Sequence, residues 1–217
     1  MIIDLPEHSL KFDIRKDYDT DLVVIKEMFE ENVYEVHGWH FSDDGVTVDL
    51  GSNIGAFAIQ AASIGAKKVY AVEPEPHNIK ALKDNITLNE LEDVVKVLEL
   101  GVSDFNGSAV ITDEGGGATI KDGKAGAEIK VITLDKLFKD NKINNVDVLK
   151  IDVEGSEIEI ILAASKETIN KCNYIAIEFD IRSGSRLGDL VMKLSETHHV
   201  RTMGSWERGG MIFANRY

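Results

Sequence analysis

Two acidic residues and two glycines set the chemistry open to this chain. Asp49, Gly51 and Gly55 stand as D-x-G-x-x-x-G at the end of an apolar run from Val46, and Glu73 closes a second run, Val69 to Val72. Glycines at a strand-to-helix turn let the backbone come close to a ligand, because no side chain stands in the way. A carboxylate at the end of the next strand, about 20 residues on, is placed to accept two ribose hydroxyls. The combination predicts a nucleoside-bearing ligand. Taken alone, the glycines would equally serve a tight turn and close helix packing.

The spacing bears on which nucleoside. Dinucleotide sites favour G-x-G-x-x-G, where a helix N-terminus faces a pyrophosphate. Here Asp49 replaces the first glycine of that fingerprint. A carboxylate repels a pyrophosphate but suits a ligand carrying an ammonium or sulfonium group, which describes S-adenosylmethionine. Asp49 is therefore expected near the ammonium, with Gly51 and Gly55 lining the methionine part and Glu73 on the ribose. Asn53 either adds a hydrogen bond in this loop or is a turn asparagine tolerating a left-handed conformation.

A second constellation, Lys150-Ile151-Asp152-Val153-Glu154-Gly155, follows an apolar run that reads as a buried strand. Asp152 then emerges at the carboxyl edge of the sheet, where open α/β sheets bind ligands. Alternation puts Lys150, Asp152 and Glu154 on one side while the strand lasts. Glu178 and Asp180 end the next strand and are expected beside Asp152. Such carboxylates can orient an acceptor, take a proton from it or hold a divalent cation. Alternatively, Asp152 or Glu154 caps the following helix. We assign Asp152, Glu154 and Glu178 as the catalytic candidates and no residue to a metal. His37 and His40 are further candidates for a base, since imidazole titrates near neutrality.

The elements that must position these residues alternate, which favours a parallel sheet with crossover helices. A short strand-like start and a helix over 21–34, capped by Asp19 or Thr20, precede the strand 46–50. Then come a helix (54–65), a strand (68–73), a helix (76–89) and a strand (94–98). Segments 108–112 and 128–132 read as an antiparallel insertion around Gly115-Gly116-Gly117. A helix capped by Thr133 runs to Phe138, and strand 146–151 and a helix over 156–164 follow. Strand 174–179, a helix (185–196) and a hairpin (199–203 with 210–215) close the chain. Without repeats or linkers, 217 residues with three prolines predict one domain, residues 1–217.

Composition narrows the function. The net charge of −14 sets electrostatic repulsion against a long nucleic acid contact, so no nucleic acid partner is expected. The lone cysteine, Cys172, excludes an internal disulfide framework and fits a reducing compartment. The charged N-terminal stretch does not resemble a signal peptide, and no apolar run reaches the ~18 residues of a membrane span. No membrane partner and a cytoplasmic location are therefore expected.

Five blocks carry a resemblance: VDLGSNIG (48–55), VEPEPHNIKALKDNITLN (72–89), GVSDFNG (101–107), ITLDKL (132–137) and LKIDVEGSE (149–157). In this order and spacing they resemble the FkbM-type branch of class I S-adenosylmethionine-dependent methyltransferases. The resemblance implies a Rossmann-like, doubly wound seven-stranded α/β sheet of order 3-2-1-4-5-7-6 with the last strand antiparallel. It also implies S-adenosylmethionine as cofactor and O-methylation of a small-molecule or sugar hydroxyl, and a homodimer is compatible with it. In the superfamily a polar or acidic group after the third strand faces the adenine edge, which falls here on Ser103 and Asp104. Asp104-Phe105-Asn106-Gly107 is also a plausible turn.

Two other classes share part of this pattern. A nicotinamide oxidoreductase would share the sheet and Glu73, with Asp49 counting against it. A non-catalytic S-adenosylmethionine-binding protein would share every cofactor residue and differ only on the acceptor side. The chain lacks an Asn-Pro-Pro-Tyr-like tetrapeptide, and Cys172 lacks the preceding proline of cytosine C5 enzymes.

Overall fold

The computed structural model describes residues 1–16, 18–34, 39, 41–113, 118–120, 126–179, 186–205 and 209–217. The chain opens with a hairpin, β1 (Ile2–Leu5) and β2 (Leu10–Asp13), and a helix, α1 (Asp19–Phe29). The first crossover units are β3 (Val46–Leu50), α2 (Ala56–Ser63), β4 (Lys68–Val72), α3 (Pro76–Leu88) and β5 (Val95–Leu98). Next come β6 (Gly101–Val102), β7 (Gly107–Asp113), β8 (Ala118–Ile120), β9 (Ala127–Ile132) and α4 (Leu134–Asp140). The last third holds β10 (Val146–Ile151), α5 (Glu157–Ala163), α6 (Lys166–Asn170), β11 (Cys172–Phe179), α7 (Leu187–Leu194), β12 (His198–Ser205) and β13 (Gly209–Arg216).

The central sheet has seven strands in the order β12-β13-β11-β10-β3-β4-β5. Pairing is parallel from β11 through β10, β3 and β4 to β5, while β13 runs antiparallel to both β11 and β12. All six residues of β10 are buried, as expected of a strand covered on both faces. Alternation sorts the two cores. Tyr70, Val72, Leu149, Ile151, Ile175 and Ile177 face α4, α5 and α7 on one side. Val69, Ala71, Val148 and Ala176 face α1, α2 and α3 on the other.

The antiparallel insertion forms and is larger than the sequence suggests. β7 pairs with β9, Val110 opposite Glu128, and β6 and β8 complete a four-stranded sheet. Gly115–Gly117 lie outside the described residues. Thr133 caps α4 by accepting from the Lys136 amide.

Three expectations need correction. Helix α1 spans 19–29 rather than 21–34, so Tyr34 lies beyond it; Tyr18 occupies the N-cap, with no side-chain cap bond. Asp21, inside that helix, instead forms an ion pair with Arg15 at 2.6 Å. Helix α6 was not expected; at five residues it is too short to show periodicity, and Ser165 caps it through the Thr168 amide. Residues 46–50 and 146–151 match the expected strands without adjustment.

The N-terminal segment is fastened to α3 by amide side chains. Asn85 Oδ1 accepts from the Asp13 amide at 2.7 Å, while Asn89 accepts from the Lys11 amide at 2.9 Å and donates to its carbonyl at 2.7 Å. Arg15 donates to Asn78 at 2.8 Å. These contacts explain Asn85 and Asn89 without a ligand.

Candidate active site

The order of the sheet reverses between β3 and β10: the chain proceeds from β3 outward through β4 to β5, then returns to β10. A crevice opens outside the carboxyl ends of strands at such a point. Here the cleft is lined by Gly51 and Asn53 after β3, Glu73 after β4, and Asp152 and Glu154 after β10. The space it encloses is about 940 Å³ with open solvent included.

The loop after β3 is built from left-handed residues. Gly51, Asn53 and Gly55 have φ of 78°, 47° and 93°. The protein itself already demands glycine here. A Cβ on Gly51 would lie 1.7 Å from the Asp152 carbonyl oxygen, and one on Gly55 would lie 2.6 Å from Leu82 Cδ1. Gly51→Val is therefore expected to damage the β3–β10 junction itself. The left-handed strain of a branched residue alone costs about 1–3 kcal/mol, and the overlap adds to it. Urea unfolding should show a loss of roughly 3 kcal/mol or more; wild-type stability would disprove the packing argument.

Glu73 is buried, not solvated. Its carboxylate accepts from the Asn53 amide at 2.8 Å and the Glu75 amide at 2.9 Å, with Asn78 Nδ2 at 3.4 Å. Burial pushes its carboxyl up to about 7 against the pull of these donors. Asn53 Oδ1, beside it, is buried without a hydrogen-bond partner. A ligand that donates hydrogen bonds at this corner would meet one charged acceptor and one unused one.

Beside Asp152 two residues have contacts to which the sequence reading gave no role. Lys150 is directly opposite Asp49 in the parallel register. Its buried Nζ donates to the Gly51 carbonyl at 2.7 Å and lies 3.2 Å from Asp49 Oδ1 and 3.3 Å from Asp152 Oδ2. Burial works against the ammonium, but the two carboxylates outweigh it and hold Lys150 well above the ordinary lysine range. Asp49, expected at a ligand's ammonium, is fully buried and has Lys150 as its counter-ion, an ion pair without hydrogen-bond geometry. It is not among the residues lining the cleft.

The other is Tyr34. Its buried ring packs edge-on against Phe57 with centroids 5.3 Å apart. Its hydroxyl lies 2.9 Å from Glu178 Oε2 and 3.2 Å from Asp152 Oδ2. Asp152 and Glu178 are thus brought together, as expected, through a phenol that spacing did not reveal. Burial, and then the charge of Asp152, push the Glu178 carboxyl up to about 7.

Glu154 lines the cleft with a left-handed φ of 59°. Neither it nor Asp152 is the N-cap of α5, which is Ser156. The loop is closed by Glu157, which accepts from the Val153 and Gly155 amides at 3.1 and 2.9 Å. Ser103 and Asp104 are not among the lining residues; Leu100, Gly101 and Val102 are. Ser103 is buried, and its hydroxyl lies 3.3 Å from Asp104 Oδ1. His37, His40 and Asp180 lie outside the described residues. Among the described residues no group of three or more His, Cys, Asp or Glu is arranged to hold a metal ion, and no helix is long and apolar enough to cross a membrane.

Comparison with known families decides the class: residues 49–204 match the methyltransferase FkbM domain. The chain belongs to the FkbM methyltransferase family. Among curated proteins it is 26% identical to methyltransferase sdnD of Sordaria araneosa, over 75% of this chain and 76% of that one. It is 29% identical to the hexuronic acid methyltransferase AglP of Haloferax volcanii, over 71% of this chain and 63% of that one. A ribosomal protein L11 methyltransferase of Carboxydothermus hydrogenoformans is 40% identical over 28% of this chain, a stretch that spans only 20% of that protein. Among solved structures, the N-terminal domain of human METTL16 in complex with SAH superposes with a TM-score of 0.54 at 13% identity, covering 98% of this chain and 78% of that one. At that identity the likeness is one of fold: a Rossmann-like methyltransferase sheet. S-adenosylmethionine is the cofactor of such a family, and the cleft fits it. Glu73 and Asn53 offer acceptors for a ribose, and the carboxylates of Asp49 and Asp152 exceed the single ammonium of Lys150.

Proposed function

We propose that this family member methylates a hydroxyl of a small molecule or sugar, with Asp152 as the group that receives the acceptor's proton. The observation that carries the reading is one cleft with two unlike walls. The Glu73–Asn53 corner is built to accept hydrogen bonds, while the Asp152 corner presents a carboxylate that is 30% exposed. When bound, S-adenosylmethionine supplies a methyl carbon already activated by its sulfonium, so the protein has chiefly to position and deprotonate. Glu73 would accept the ribose hydroxyls. Val24, Glu27 and Met28 of α1, with Tyr34, would wall the acceptor side. The name of the AglP relative supports a sugar acceptor, and the net charge of −14 counts against a nucleic acid.

Calorimetry with S-adenosylmethionine and NAD, followed by methyl-release assays over hydroxyl acceptors, tests this reading. Glu73→Ala should weaken S-adenosylmethionine binding by about 1.5–3 kcal/mol, the range for hydrogen bonds to a charged group. Unchanged affinity would remove Glu73 from the ribose. Tight binding without methyl release on any acceptor would favour a non-catalytic binder, and tighter binding of NAD would favour the oxidoreductase.

A further inference from the structure

The hydroxyl of Tyr34 has one hydrogen and two carboxylates to satisfy. Both lie within hydrogen-bond reach, 2.9 Å to Glu178 and 3.2 Å to Asp152, in a buried setting. A phenol can donate to only one of them at a time. Were both carboxylates ionised, the other would face a phenolic lone pair. The three oxygens are satisfied together only if one carboxyl keeps a proton and donates it to Tyr34. The cation fixes which one. Lys150 Nζ is 3.3 Å from Asp152 Oδ2, so Asp152 is the partner held as an anion.

We propose that Tyr34 is a positioning residue that joins Asp152 and Glu178 into one proton-sharing unit. Glu178 holds the proton and donates it to Tyr34, which donates its own to Asp152. The proposal rests on the reading of Asp152 as the acceptor-facing base, and it gives that base its orientation. Both contacts of Asp152 fall on Oδ2, leaving Oδ1 for the acceptor. In turnover the acceptor's O–H bond breaks, its proton passes to Asp152 Oδ1, and its oxygen pair forms the new bond to the methyl carbon. Tyr34 and Glu178 keep their protons throughout.

The unit has a built-in pH dependence. The groups around it are Glu27 from α1, Asp49 from β3, Lys150 and Asp152 from β10, and Glu154 from the following loop. All but Lys150 are acidic, and the burial and carboxylate charge that raise Glu178 also raise Glu27 and hold Tyr34 well above its usual range. When Glu178 ionises, the lone phenolic hydrogen turns to the nearer oxygen, that of Glu178. Asp152 then loses a donor and gains a neighbouring charge.

The test uses the whole chain without cofactor, so it does not depend on turnover. Carboxyl ¹³C NMR of protein labelled at Asp and Glu should show the Asp152 Cγ resonance moving with the same midpoint as Glu178 Cδ. In Tyr34→Phe, which keeps the ring against Phe57, the Asp152 response should fall to the smaller part that the charge of Glu178 exerts directly. In Glu178→Gln, whose amide donates at every pH, Asp152 should show no response near neutrality. Independent midpoints in the wild type, or an Asp152 response of undiminished size in Tyr34→Phe, would overturn the proposal. A coupled titration in a protein that releases no methyl group would leave the unit standing and sink only the assigned activity.

Discussion

Asp152→Asn is expected to lower methyl transfer by about 10²–10⁴, the range for loss of a group that moves a proton in the rate-determining step. Asparagine keeps the shape of the side chain and can still accept from Tyr34, so the wall of the cleft stays in place. Lys150 retains Asp49 and the Gly51 carbonyl as partners. Affinity for S-adenosylmethionine should therefore change little, and the loss should fall on kcat. A variant that methylates at the wild-type rate would leave Asp152 as a counter-ion to Lys150 and nothing more. If chelator treatment of the wild type reproduced the loss and Mg²⁺ reversed it, the carboxylate would be holding a cation and not receiving a proton.

Lys150→Met should cost stability rather than rate alone. The ammonium is buried between Asp49 and Asp152, and Asp49 is buried completely. Removing one member of a buried pair strands the other charge, typically at about 3–5 kcal/mol. The Gly51 carbonyl also loses its donor, at the loop the cleft depends on. The companion variant separates charge from packing. Asp49→Asn together with Lys150→Met leaves no buried unpaired ion across the β3–β10 register and should recover much of the loss. A double-mutant cycle from urea unfolding measures that coupling. Additive losses would mean that the ammonium contributes through its packing and its Gly51 contact, not through Asp49.

The central sheet was legible because its inner strands are dense in β-branched and aliphatic residues, Val46, Val48 and Leu50 in one and Val146, Val148, Leu149 and Ile151 in another. The place of Glu73 at the cleft was legible because it directly follows the apolar run of β4. What the sequence hid is what side chains do across long separations. Tyr34 was absorbed into the preceding helix because Ile25, Met28 and Phe29 continue its period; its site role depends on contacts 118 and 144 residues away. Lys150 was placed on the same side as Asp152 by alternation, yet its pairing with Asp49 depends on the register of two strands a hundred residues apart. The glycines carry a packing demand that their spacing does not reveal. Gly51 lines the cleft and is also required by the backbone of Asp152, while Gly55 is required by its left-handed φ of 93°.

The way Asn85 and Asn89 hold the N-terminal hairpin bears on how such a protein can change its substrate. Both asparagines grip only main-chain atoms of Lys11 and Asp13, so the grip is indifferent to which side chains the hairpin carries. The segment it anchors supplies Val24, Glu27, Met28 and Tyr34 to the cleft, all of them ahead of residue 49, where the family match begins. Mutational drift along residues 1–48 can therefore re-tool the acceptor wall while the hairpin stays in register. Under the proposed function, selection on this wall of the acceptor site acts on a stretch of the gene separate from the one that encodes Gly51, Asn53 and Glu73.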